Sequence, residues 1–256
     1  SKAPGQRRHR QHVIDLHSHL LPGIDDGARS MDEALAMARA HVADGTRCVV
    51  ATPHIYPGVF DNTAERIARS CDEFNAALKE AQIPLSVQWA AEVRASIEIF
   101  DWLAAGTLPF LGQDGPWRHL LLELPDGQIP VGTDRLIAQL LKYHVRPVIA
   151  HPERNKAVMA DPSKMSAFVG QGCLLQVTAG SLLGDFGNKA EATAHALLKQ
   201  ELVHVVASDA HRVEGRAPRM RAARSWLTEV YGEAMAQQLT LNGPAKICQP
   251  LTRQAV

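Results

Sequence analysis

Seven short apolar runs, at residues 13–20, 47–54, 85–94, 119–125, 146–151, 174–179 and 203–211, alternate with stretches whose apolar positions recur every three or four residues. Runs such as Cys48-Val49-Val50-Ala51 are apolar on both faces of an extended backbone, the pattern of a strand covered on both sides in a parallel sheet. Two of the intervening stretches carry full helix signals. Ser30 with Glu33 three residues later has the spacing of a capping box; Met31, Leu35, Ala38 and Val42 form one stripe, and Gly45 supplies the stop. Asn62 with Glu65 predicts a second N-terminus, followed by the stripe Ile67, Cys71, Phe74 and Leu78 and by Pro84 beyond its end. Weaker helical periodicity covers 133–143, 162–171, 188–200 and 217–240.

Strand and helix in alternation predict parallel strands joined by right-handed crossovers. Seven such units predict an α/β barrel, closed or nearly closed, and 256 residues suit a barrel as one domain over 13–256. An open doubly wound sheet is the structural alternative, but no Gly-rich phosphate turn follows the first run. Residues 1–12 are basic and without periodicity, and read as a flexible arm or a leftover of expression.

Lys+Arg and Asp+Glu both number 27, which removes any global attraction to nucleic acid or to a membrane. No uninterrupted apolar stretch reaches the roughly 18 residues of a spanning helix, and the N-terminus lacks the apolar core of a signal peptide. The expectation is a cytoplasmic protein with no membrane insertion. Cys48, Cys71, Cys173 and Cys248 show no C-x-x-C spacing and read as buried, reduced thiols. Six positions after each stand His54, Ala77, Ala179 and Gln254, so the C-x5-R loop of cysteine phosphatases is excluded.

Polar residues at the ends of the runs add chemistry to this picture. They are Asp15-Leu16-His17-Ser18-His19, Thr52-Pro53-His54, Glu92, Glu123, His151-Pro152-Glu153-Arg154 and Ser208-Asp209-Ala210-His211. Successive side chains of a strand alternate faces, so His17 and His19 point the same way and can grip one ion. A lone His at a strand end is ordinarily a hydrogen-bonded polar residue, and His41, His119, His144, His195 and His204 are read that way. The other five share the C-terminal ends of different strands with Asp and Glu, which is where barrels carry their chemistry. Glu92 and Glu123 close apolar runs, and a carboxylate there costs several kcal/mol unless it meets a cation or donors. Imidazole and carboxylate without thiolate suit Mn, Fe or Zn in a water-bearing catalytic site. Beside such a cluster, Arg154 and Arg216 suggest phosphate recognition, whereas Arg212, Arg219, Arg221 and Arg224 read as a solvated helix face.

In order along the chain the segments are Ile14-Asp15-Leu16-His17-Ser18-His19, Asp25-Asp26-Gly27, Ala51-Thr52-Pro53-His54, Ala91-Glu92-Val93-Arg94, Leu122-Glu123-Leu124-Pro125, Ala150-His151-Pro152-Glu153-Arg154 and Ser208-Asp209-Ala210-His211. This ordered set resembles the PHP (polymerase and histidinol phosphatase) superfamily, and within it the bacterial protein-tyrosine phosphatases of capsule and exopolysaccharide gene clusters. His-x-His alone is shared with amidohydrolases; Asp-Asp-Gly after it, together with His-Pro-Glu-Arg, is specific. The resemblance implies a distorted (β/α)7 TIM-like barrel, the PHP fold, holding three divalent metal ions, with manganese first and iron or zinc as alternatives. It implies His17, His19, Glu92 and Asp209 on the first ion, a bridging Glu92 with Glu123 and His151 on the second, and Asp26, His54 and His211 on the third. Between Asp25 and Asp26, the family's pattern uses the second carboxylate. Arg154 and Arg216 match its phosphate-contacting arginines. The implied reaction is in-line attack of metal-bound hydroxide on phosphotyrosine without a phosphoenzyme, and the implied partner is the disordered, tyrosine-rich tail of an autophosphorylating bacterial tyrosine kinase. Tyr56, Phe60 and Asn62, in the loop after His54, are candidates to flank a phenyl ring, with loop packing the alternative for Tyr56 and Phe60.

Three rivals are defined. A PHP enzyme for a small phosphate monoester such as histidinol phosphate shares the metal chemistry. An amidohydrolase often uses a carbamylated lysine, and no Lys ends the third to fifth runs. A non-catalytic, metal-bound module that docks a kinase is the third, and the intact ligand set argues against it.

Overall fold

The computed structural model describes residues 12–249. The expected arm at 1–12 therefore lies outside the described residues except for His12. Among the described residues there are ten strands: β1 (Val13–Ser18), β2 (Thr46–Ala51), β3 (His54–Ile55), β4 (Ser86–Trp89), β5 (Glu92–Arg94), β6 (Gly112–Asp114), β7 (Trp117–Glu123), β8 (Val145–Ala150), β9 (Leu174–Thr178) and β10 (Val205–Ala207). β1, β2 and β4 form one parallel sheet, and β10-β9-β8-β7-β5-β3 form the other.

These two sheets are arcs of one barrel. The runs 47–54 and 85–94 are each broken in the middle, giving β2 then β3 and β4 then β5. Pro53 has no N–H to donate, which interrupts the ladder at that step. Backbone bonds from Ala90 N to Ala51 O (2.8 Å) and from Glu92 N to Pro53 O (3.1 Å) carry the pairing past both breaks. On the other side β1 meets the chain after β10, where Asp209 N donates to His17 O and His19 N to Ala210 O, both at 2.8 Å. The barrel thus closes on seven strand directions, with its distortion at the two breaks. β6 was not expected: it pairs antiparallel with β7 across Gly115-Pro116, a turn signal embedded in a stretch without strand-like periodicity.

Ser30 caps the helix Met31–Ala43 by accepting from Glu33 N, while the Glu33 carboxylate reaches Arg29 N rather than Ser30, so the box is only half formed. The next helix is Ala64–Glu80, and its cap is Thr63, one residue later than expected. Asn62 cannot serve because its amide donates to the Ile24 and His54 carbonyls at 2.8 Å each. The expected stripe Ile67, Cys71, Phe74 and Leu78 is buried; burying a side chain such as Phe74 contributes roughly 1.5–3 kcal/mol. Helices Thr133–Lys142, Lys164–Gln171 and Asn188–Lys199 fall where periodicity placed them. The stretch 217–240 instead divides at Gly232 (φ +89°) into Met220–Tyr231, Glu233–Gln237 and a π-helical turn, Gln238–Asn242.

Leu16, Val50, Ala90, Leu121, Val148, Ala150, Val205 and Ala207 fill the barrel, and Ile247 and Cys248 from the C-terminal helix plug its base. A second, larger core lies between strands and helices. All four cysteines are free; Cys71, Cys173 and Cys248 are buried, whereas Cys48 is partly exposed, against expectation. Among the described residues no helix is long and apolar enough to cross a membrane.

Candidate metal centre

At the C-terminal end of the barrel all nine expected ligand residues converge. Three groups of donor atoms lie within 4.8 Å of one another: His17, His19, Glu92 and Asp209; His54, Glu92 and Glu123; and His19, Asp26, His54 and His211. Glu92 sits at the middle. Its Oε2 is 3.1 Å from the Nε2 atoms of His17 and His19 and 3.3 Å from His54 Nδ1, and its Oε1 is 2.7 Å from His151 Nε2.

The backbone explains how the donors are aimed. β1 presents His17 and His19 on one face, and the following loop doubles back so that Ala28 N donates to His19 O at 3.1 Å. Gly27 permits that approach, since a Cβ there would lie 1.9 Å from the same carbonyl oxygen. The turn suspends Asp25 and Asp26 over the end of β1, in different roles. Asp25 accepts from His19 Nδ1 (2.7 Å), Gly27 N (2.9 Å) and His54 N (3.1 Å). Asp26 faces His211 Nε2 at 3.2 Å and His54 Nε2 at 3.5 Å. His151 (φ +32°) and Asp209 (φ +49°) both hold left-handed backbone, a strain that surrounding structure must impose.

A common device orients three of the rings. The Nδ1 atom is engaged by Gln176 Oε1 for His17 (2.8 Å), by Asp25 for His19, and by the Asp209 carbonyl for His211 (2.9 Å). A neutral ring whose Nδ1–H donates in this way presents an Nε2 lone pair to the cluster, the arrangement by which outer partners fix a metal-binding tautomer.

The fit to cations rests on buried atoms left without hydrogen-bond partners. His54 Nδ1, Glu123 Oε2 and Asp209 Oδ1 are such atoms, and each belongs to a donor group. His17 Nε2 and His19 Nε2 approach to 3.1 Å, and both are aimed at Glu92 Oε2 and Asp209 Oδ1, a convergence of nitrogen and oxygen donors that suits a cation. Burial raises the Glu123 carboxyl to about 7, and repulsion from Glu92 adds to it. Burial also raises Glu92, but His17, His54 and His151 overcome this and hold it well below the usual range. Burial and then Arg154 depress the His151 imidazole to about 4, so it stays neutral and able to ligate. A cation between the carboxylates removes their repulsion and supplies the missing partners.

Both expected arginines are at the edge of this cluster. Arg154 Nη1 and Arg216 Nη2 donate to the same Asp209 oxygen, Oδ2, at 2.5 and 2.7 Å. Of the loop residues expected to flank a ring, Phe60 stacks on His54 with centroids 5.4 Å apart, Tyr56 lies beneath the Arg94 guanidinium, and Asn62 is a buried structural amide.

Several contributors had no role in the sequence reading. Gln176 carried a signal, a polar residue inside the apolar run 174–179. Arg94, whose Nε is 3.2 Å from Glu123 Oε2, and Asp15, which accepts from Ser208 N at 2.9 Å and so ties β1 to the chain after β10, lay in quoted motifs without a function. Phe186, which meets both Arg154 and Arg216, sits in a loop with no periodic signal.

Comparison with known proteins identifies relatives of the chain. Residues 13–249 match the family described as capsular polysaccharide synthesis, CpsB/CapC. The tyrosine-protein phosphatase YwqE of Bacillus subtilis is 36% identical over 230 residues, covering 90% of this chain and 89% of that protein. CpsB of Streptococcus pneumoniae, also a tyrosine-protein phosphatase, is 30% identical over 244 residues, covering 92% and 98%. A crystal structure from work on these two, described as metal-dependent tyrosine phosphatases, superposes with a TM-score of 0.86 over 94% of this chain and 97% of that one. An organophosphorus hydrolase from Deinococcus radiodurans, at 15% identity and a TM-score of 0.58, shares the fold alone. The chain belongs to the CpsB/CapC family of capsular polysaccharide synthesis.

Proposed function

We propose that this chain is a metal-dependent protein-tyrosine phosphatase that acts in the cytoplasm on the phosphorylated, tyrosine-rich tail of a capsule or exopolysaccharide tyrosine kinase. The observation that carries the reading is the meeting of three donor groups around Glu92 with two arginines at their edge. The similarity to YwqE and CpsB supports the same reaction class.

The proposed ligand sets are His17, His19, Glu92 and Asp209 for a first ion, Glu92, Glu123 and His151 for a second, and Asp26, His54 and His211 for a third. Divalent ions, manganese foremost, would lower the pKa of water and offset phosphoryl charge there. Arg154 and Arg216 hold planar N–H donors beside the same cluster, suited to the equatorial oxygens of a phosphoryl group. Nothing points to a thiolate nucleophile: no cysteine belongs to a donor group of the cluster, and burial raises all four thiols, Cys71 and Cys248 to about 11 and Cys173 to about 12. Phe60, stacked parallel to His54, offers an apolar wall for a phenyl ring.

The test is steady-state hydrolysis of a phosphotyrosine peptide against a phosphoserine peptide and histidinol phosphate, after chelation and re-addition of Mn²⁺, Fe²⁺ or Zn²⁺. Metal-restored preference for phosphotyrosine is the expected result. Preference for histidinol phosphate would replace the substrate and keep the centre, and no turnover with any metal would overturn the reading.

A further inference from the structure

Arg154 and Arg216 crowd two positive charges onto one oxygen, Asp209 Oδ2. In the function proposed above they turn N–H donors from that oxygen to phosphoryl oxygens, and a guanidinium released from its ion pair with Asp209 is a long, mobile side chain. Something else has to keep both in place. The Phe186 ring lies where this is needed: Arg154 Cζ is 4.6 Å and Arg216 Cζ 5.8 Å from its centroid. The negative face of an aromatic ring attracts cations at these separations.

The ring itself is fixed by its own segment. The turn after the helix Ala179–Leu182 closes with Leu183 N and Asp185 N both donating to Gly180 O, at 3.1 and 3.0 Å. Gly180 lets Phe186 fold down, because a Cβ there would lie 3.1 Å from the ring carbon Cε2 and 3.1 Å from Asp185 Oδ2. Asp185 is in turn paired with Arg219 Nε at 2.9 Å. No residue of this segment belongs to a donor group of the metal centre, so its packing against the arginines is the contact through which it meets the site.

We propose that Phe186 is a positioning residue: its π face holds Arg154 and Arg216 fanned toward the metal centre as they pass from Asp209 to the phosphoryl group. This rests on the phosphatase reading for its purpose. The placement is testable by itself through orthophosphate binding.

The experiment compares wild type with Phe186→Leu, which keeps apolar bulk without a π face, and Phe186→Tyr, which keeps the face. Orthophosphate affinity is measured by titration calorimetry on Mn²⁺-loaded protein, with metal content determined alongside and KM and kcat measured on a phosphotyrosine peptide. F186L is expected to weaken orthophosphate about tenfold, equivalent to about 1.4 kcal/mol, and to raise KM with metal content unchanged. F186Y is expected to stay within about twofold of wild type, the π face being retained. In the Arg154→Gln/Arg216→Gln background the effect of F186L should vanish, since a residue acting through the arginines has nothing left to act on. Three results would overturn the proposal: no orthophosphate binding by loaded wild type, wild-type affinity in F186L, or an F186L effect that persists without the arginines. If phosphate binds as expected and no phosphotyrosine is turned over, the phosphatase reading fails and the role of Phe186 stands.

Discussion

Glu92→Gln is the sharpest perturbation of the centre. The side chain is 1% exposed, and its two oxygens divide the work: Oε2 faces His17, His19 and His54, while Oε1 faces His151. The amide keeps the shape, removes the charge and turns an NH2 toward ring nitrogens. Because Glu92 belongs to two of the three donor groups, both should lose affinity together, whereas His54, Asp26 and His211 keep theirs. Metal per chain after dialysis is expected to fall by about two ions of a proposed three. The phosphoryl-charge compensation those ions supply is worth several kcal/mol, so kcat/KM on a phosphotyrosine peptide should fall roughly a thousandfold, or about 4 kcal/mol. Breaking a buried charged pair also costs roughly 3–5 kcal/mol of stability, so the assay belongs well below the melting temperature of the variant. Elemental analysis and steady-state kinetics decide the matter. A variant with the full metal complement and kcat/KM within tenfold of wild type would refute the bridging role.

Three further outcomes follow from the same structure. Gln176→Leu removes the acceptor for His17 Nδ1 and should weaken metal binding roughly 10- to 100-fold at nearly constant size, measured by competition with a chelating dye; unchanged affinity would mean the tautomer is fixed otherwise. Gly27→Ala has no room, its Cβ falling 1.9 Å from His19 O, and is expected to cost about 3 kcal/mol and to lower metal content; a normal melting curve would contradict the packing. His119, at the base of the barrel, is depressed from 6.5 to about 4 by burial and secondarily by Arg146. The unfolded chain binds its proton at higher pH than the native one, so stability is retained above about pH 6.5 and lost as pH falls toward 4, by on the order of 2–3 kcal/mol. Urea unfolding of wild type and His119→Gln at pH 7 and 4.5 should show the steeper loss in wild type, and parallel losses would count against it.

Much of the barrel could be read from the sequence because parallel strands buried on both faces are spelled as apolar runs, and seven of them were countable. The splits at Thr52-Pro53 and Ala90-Ala91 were not read: both lie inside apolar runs, and their consequence is a bend between two sheets rather than an end. β6 and the π-helical turn depend on packing at the base of the barrel, where Gly112 lies so near the C-terminal helix that a Cβ would sit 2.4 Å from Ile247 O, a contact no local pattern announces. The ligand residues were visible because His and carboxylate at strand ends have few other reasons to occur in sets. Their outer partners were harder to see for a physical reason. A second-layer group is selected by where its one polar atom falls, as with Gln176 against His17 and Phe186 against two arginines, and a chain separation of 159 residues in the first case erases any spacing rule. Asp25 and Asp26 bring the two situations side by side. Adjacent and identical in type, they differ only because the backbone turning at Gly27 directs one carboxylate to the Nδ1 of His19 and leaves the other facing Nε2 of His54 and His211. A single peptide unit thus separates a residue that orients a ligand from one that can be a ligand, and Asp25→Asn should therefore weaken metal through His19, which belongs to two of the donor groups, while leaving the Asp26 and His211 donors in place.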